Sequence, residues 1–109
     1  MPYSQSLAQR VRDVLHRRRG VEERKMFGCV GFLQHGNVLV GVWKDSLVVR
    51  LGRDQAKLAL REPHVGPFDI TGRPMGGWAL VSPAGLEGDD QIRAWVDRAQ
   101  QFVRTLPPR

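Results

Sequence analysis

Apolar residues recur along this chain at two different periods, and each change of period marks a new element. Leu7, Val11, Val14 and Leu15 fall at helical spacing, which predicts a first amphipathic helix capped by Ser4 or Ser6, ending near Arg18 and stopped by Gly20. Between Lys25 and Leu51 the pattern changes to short Val-, Leu- and aromatic-rich runs separated by turn residues, as antiparallel strands require. Three strands are predicted there: Gly28 to Leu33, begun earlier if Lys25, Met26 and Phe27 join it, then Val38 to Trp43, then Ser46 to Leu51. Gly36 and Asn37 supply residues that tolerate positive φ in the first link, and Lys44-Asp45 makes the second, so neighbouring strands must run antiparallel. In the third strand Leu47, Val49 and Leu51 share one face and Ser46, Val48 and Arg50 the other, which makes Arg50 an anchored charge beside an apolar sheet.

A short second helix is predicted from Asp54 to Arg61, with Pro63 opposing its continuation. Two further strands, Pro67 to Thr71 and Trp78 to Val81, flank the glycine-rich loop Gly72 to Gly77. A last helix, capped near Asp89 and running to about Thr105, carries the cleanest apolar stripe of the chain: Ile92, Trp95, Val96, Ala99, Phe102, Val103 and Leu106. The predicted order is helix, three strands, helix, two strands, helix. Such a series points to a two-layer α+β fold, an antiparallel sheet of about five strands packed with helices, in one domain spanning residues 1–109.

Charge adds the first functional hint. The formal net charge is +6, and fourteen of the seventeen basic residues are arginine. The excess lies in the first two-thirds of the chain, since residues 67–109 hold five basic and five acidic side chains. A basic protein invites nucleic acid as a partner, with Arg10, Arg12, Arg17, Arg18 and Arg19 as the contacts to test. On a helical wheel, however, Arg10 and Arg17 flank one border of the apolar stripe and Arg12 and Arg19 the other. A core-facing helix uses that arrangement to lay aliphatic stems along its rim, whereas a recognition helix concentrates its contacts on one exposed face.

Candidate chemistry is sparse. His16, His35 and His64 occur without HxxxH or CxxC spacing, so no metal site is expected, and no local signature of nucleophilic catalysis or cofactor binding is present. The Gly72 to Gly77 loop lacks the GK[ST] ending of a phosphate loop and leads into a strand rather than a helix. The expectation is therefore a non-enzyme without metal or cofactor. Cys29 has no internal partner for a disulfide, and its apolar neighbours predict a buried, inert thiol in a reducing compartment. No apolar run approaches the roughly 20 residues of a membrane span, and Met1 to Leu15 lacks the apolar core of an export signal, so a cytoplasmic location away from membranes is expected.

The strings Lys25-Met26-Phe27-Gly28, Gly31-Phe32, Gly36-Asn37, Leu47-Val48-Val49-Arg50 and Thr71-Gly72-Arg73-Pro74-Met75, followed by Trp78 and Ala94-Trp95-Val96, resemble the N-terminal domain of the TfoX/Sxy family. The resemblance implies an α+β fold of the type shared with secretion chaperones. It also implies kinship to bacterial regulators of natural competence, which act with a cyclic-AMP-responsive activator at promoters. Two residues depart from the family pattern: Cys29 stands where glycine is common, and Gly76 where lysine often appears. The chain also stops where regulators of the two-domain type continue. The expected activity is that of a regulatory or adaptor module acting on a protein partner, with Arg24, Lys25, Arg50 and Arg73 as candidate partner or anion contacts. Direct nucleic-acid binding, a small-molecule sensor and a homodimer are the alternatives that the residues leave open.

Overall fold

The computed structural model of the chain describes residues 3–26, 28–69, 72 and 75–109, without the side chain of Met26. Helix α1 (Gln5–Leu15) precedes four strands, β1 (Val21–Met26), β2 (Cys29–Gln34), β3 (Asn37–Trp43) and β4 (Ser46–Arg50). Helix α2 (Arg53–Ala59), strands β5 (Val65–Pro67) and β6 (Trp78–Val81), a 3-10 turn (Pro83–Gly85) and helix α3 (Asp89–Val103) complete the described elements. The strands form one sheet in the order β1-β2-β3-β4-β6-β5, every neighbouring pair antiparallel. The α+β architecture is the one the sequence predicts, with six strands in place of about five.

The additional strand is β1. Its sequence, VEERKM, has no apolar alternation, because β1 lies at the sheet edge and pairs only with β2. Charged residues on both faces of an edge strand hide it from a search for hydrophobic period two. Gly28 is not a strand residue but a turn residue with φ +77°. The hairpin between β2 and β3 turns on His35 and Gly36, at φ +51° and +84°, rather than on Gly36 and Asn37. Asn37 instead opens β3, paired with Gln34. The fifth strand begins at Val65, earlier than the predicted Pro67 to Thr71; Ile70 and Thr71 lie outside the described residues.

Register decides which face of the sheet is dry. Val30 and Phe32 of β2 stand opposite Val42 and Val40 of β3; Val40 and Val42 face Val49 and Leu47 of β4; and these face Ala79 and Val81 of β6. Alternate residues of a strand share a face, so these eight apolar side chains make one surface, and all are buried. Helices α1 and α3 cover it with Leu7, Val11 and Leu15 from one and Ile92, Val96, Ala99 and Val103 from the other. Ser4 caps α1 by accepting from the Leu7 N–H at 3.1 Å, and at α3 the Gln91 side chain reaches back to the Gly88 N–H at 2.8 Å.

The opposite face carries a smaller apolar group. Val48 is buried there beside Gly41 and Leu80. Phe68 packs between Trp43 and Trp78, with ring centroids 6.1 and 6.2 Å away. Trp43 and Trp78 are thus half-buried outside the main core, whereas Trp95 belongs to it.

One turn is fixed by space as well as by φ. Gly52 sits at φ +84°, and a Cβ there would meet the Phe102 ring at 2.6 Å. Gly52→Ala is expected to destabilise the chain by about 1–3 kcal/mol in urea unfolding, combining backbone strain and overpacking. Gly66→Ala, where a Cβ meets nothing within 4 Å, should stay within about 0.5 kcal/mol of wild type.

Candidate functional site

Most arginines of the N-terminal segment are struts. Arg10 donates from Nε to Asp89 at 3.0 Å and from Nη2 to the carbonyls of Leu86 and Glu87, tying α1 to the start of α3. Arg12 makes a bidentate pair with Glu23 at 2.7 and 2.9 Å, tying α1 to β1. The two borders of the α1 stripe are thereby fastened to different neighbours. Arg18 donates to Gln100 at 2.6 Å and pairs with Asp97 at 2.7 Å. Arg17 and Arg19 are exposed, and their side chains make no hydrogen bond or ion pair with another described residue. The structure therefore does not assemble these five arginines into one basic face.

The partner candidates are also separated. Arg24 and Lys25 are exposed on edge strand β1, where Arg24 pairs with Glu22 of its own strand at 2.9 Å. Arg50 ends β4, half-buried, with its guanidinium carbon 5.3 Å from the Trp78 ring centre and 5.8 Å from that of Phe102. Loss of solvent, and then repulsion from Arg109, lower its proton affinity. Arg73 lies outside the described residues.

Two concave surfaces do emerge. Because Arg10 reaches the start of α3 while Arg18, beyond the end of α1, reaches Asp97 and Gln100, the two helices run side by side in the same direction. Their C-terminal ends meet the β2–β3 hairpin, where a cleft of about 630 Å³ opens. Arg18, Arg19, Arg104, Gln34, Asn37 and Gln100 contribute to its walls, and no carboxylate among the described residues lines it. Its floor is a chain of hydrogen bonds: Arg18 to Gln100, Gln100 to Gln34 at 3.2 Å, and Gln34 to the Arg19 carbonyl at 3.1 Å. Asn37 donates to the Pro107 carbonyl at 3.0 Å, and the Arg109 N–H to the His35 carbonyl at 2.8 Å, which holds the 106–109 segment against the hairpin.

The second surface is an apolar groove of about 300 Å³ between α2 and β6. Leu60, Met75, Pro67 and Trp78 line it, with Arg53 and Lys57 on its rim. Leu60 and Met75 are 41% and 39% exposed, unusual for side chains of that size.

Sequence reasoning missed both surfaces. The cleft draws on four separated segments, and its only local signal is a pair of amide side chains, Gln34 and Asn37, flanking a turn in an otherwise apolar hairpin. Arg98 was likewise missed: it makes a bidentate pair with Glu62 and lies 4.2 Å from the Trp95 ring centre, joining α3 to the segment after α2. Among the described residues no group of three histidine, cysteine or carboxylate side chains is placed to hold a metal ion, and no helix is long and apolar enough to cross a membrane.

An antiparallel sheet with helices on one face, no assembled basic stripe and two open concavities defines an α+β module of the sheet-and-helix class. The chain matches the TfoX N-terminal domain over residues 13–103, nearly its whole length, and belongs to that family. No curated protein and no solved structure matches it.

Two titrations follow from these contacts. Hydrogen bonds from Arg12 hold Glu23 below its ordinary value of 4.5. A depressed carboxylate contributes stability that is present above the unfolded value and lost as pH falls through the folded one. Both partners are a third or more exposed, so Glu23→Gln should cost less than about 1 kcal/mol at neutral pH in urea unfolding, and progressively less as the pH falls below 4.5. Cys29 is half-buried and loss of solvent raises its thiol above the ordinary value of 9.0. With less thiolate at any given pH, its reaction with a disulfide reagent at about pH 8 should be several-fold slower than that of a small free thiol.

Proposed function

We propose that the chain is a non-enzymatic regulatory adaptor that works by gripping a segment of a protein partner in the groove between α2 and β6. The observation that carries the reading is the exposure of Leu60 and Met75 beside Pro67 and Trp78, in a groove whose charged lining residues, among those described, are Arg53 and Lys57. A partner segment that fits presents an apolar anchor with acidic residues beside it, because burial of the anchor supplies the affinity and the rim cations set its orientation. Kinship of the TfoX family with regulators of natural competence supports a role in transcriptional control, exercised through that contact. Nucleic acid is a weaker reading: Arg10, Arg12 and Arg18 already hold carboxylates, so the cations of the first helix and the turn after it are not arrayed on one face to neutralise phosphates.

A peptide-display selection against the folded chain tests the proposal. Enriched peptides should share an aliphatic or aromatic anchor flanked by Asp or Glu, and Leu60→Ser should weaken them about tenfold or more while leaving the melting temperature nearly unchanged. No enrichment, or enriched peptides indifferent to Leu60→Ser, would overturn it.

A further inference from the structure

We infer that the cleft between the turn after α1, the β2–β3 hairpin and the end of α3 binds a small phosphorylated molecule, its phosphate gripped by Arg18, Arg19 and Arg104. The inference is independent of the protein-docking groove, which lies beside α2.

Four observations carry it. The first is charge. Arg18 and Arg104 follow two helix ends, and each end bears roughly half a negative charge that a nearby cation offsets. Three guanidinium groups nevertheless exceed those two half charges and the single carboxylate of Asp97 by about one unit. An anion in the cleft neutralises the surplus.

The second is preorganisation. Arg18 uses two of its five donors on Gln100 and Asp97, which fixes the plane of its guanidinium and leaves three for a ligand. The guanidinium groups of Arg19 and Arg104 make no hydrogen bond or ion pair with another described residue and are exposed, so their donors are available. The third is the floor. Gln34 and Asn37 are 6% and 4% exposed, polar side chains buried at the mouth of a hairpin and held by the hydrogen-bond chain that ends on the Arg19 and Pro107 carbonyls. Such a network holds a fixed shape without relying on a ligand to order it.

The fourth is size and lining. At about 630 Å³ the cleft lies within the roughly 300–1,000 Å³ range of small-molecule sites and far exceeds a lone phosphate. Val103, Leu106 and Pro108 supply an apolar wall for the rest of such a molecule. Among the described residues no Phe, Tyr or Trp lines it to offer the stacking platform that single-stranded nucleic acid uses, and the surface is concave rather than a stripe.

Isothermal titration of the full chain with pyrophosphate, at ionic strength held constant with sodium chloride, tests the site. One saturable site is expected. The double variant Arg19→Gln with Arg104→Gln should bind at least about tenfold more weakly. Both side chains are exposed, so its melting temperature without ligand should match wild type. Arg17→Gln, outside the cleft, and Leu60→Ser, in the groove, should bind as wild type does. Absence of saturable binding, or equal binding by the double variant, would overturn the inference. So would tighter binding of a single-stranded oligonucleotide that weakens with Arg17→Gln, which would reassign the basic surface to nucleic acid.

Discussion

Side chains on a strand alternate between faces, so one register, Phe32 opposite Val40, Val40 opposite Val49 and Val49 opposite Ala79, settles at once which side of the sheet must be kept from water. A slip of one residue would turn Gly31, Gly41, Val48 and Leu80 toward the helices, and the stripe of α3 would find glycines where it now meets valines. Everything else is arranged around that surface. Helix α3 lies along it with Ile92, Val96 and Ala99 fully buried, and α1 lies beside α3. Each fully buried Val, Leu or Ile contributes roughly 1.5–3 kcal/mol of transfer free energy, against which exposed ion pairs count for little.

The arginines then acquire meaning from where the helices lie. Arg10, Arg12 and Arg98 each bridge two elements, and each meets a carboxylate contributed by the second: Asp89, Glu23 and Glu62. They set the angle at which helices meet the sheet without supplying much of the stability. Where both helices end, positive charge lacks an equal number of acids. The same two helix ends that require cations also gather them in a concave place, so the geometry of the helix layer and the chemistry of the cleft have one origin.

Much of the fold was legible in the sequence because its elements carry their own periodicity. The Trp95 stripe and the Leu7 to Leu15 stripe translate largely into burial, whereas along Ser46–Arg50 both faces are buried and only Arg50 is partly exposed. Strand β1 was illegible as a separate strand since its residues 22–25 are charged and exposed on both faces, and hydrophobic pattern is the only signal such a reading has. The link at Gln34-His35-Gly36-Asn37 holds the turn, but its positive-φ pair is His35 and Gly36 rather than Gly36 and Asn37, a distinction the sequence does not make since His and Asn both tolerate that region. The rim reading of Arg10 and Arg12 came from the wheel alone and matches their contacts. The cleft and groove were invisible for a different reason: they are products of chain segments that meet only in three dimensions, and no spacing along the chain encodes the meeting of Arg19, Gln34 and Arg104.

The two borders of the sheet are unlike. At one end β5 spans only Val65–Pro67, and Pro67 has no N–H to offer a further strand. At the other, β1 presents six residues whose backbone is receptive but whose side chains are Glu22, Glu23, Arg24 and Lys25. Open-ended growth by strand addition needs two receptive borders, one on each side of every copy, and this molecule has at most one. Union through β1 alone would close after a single step, two copies pairing edge to edge rather than continuing into a fibre.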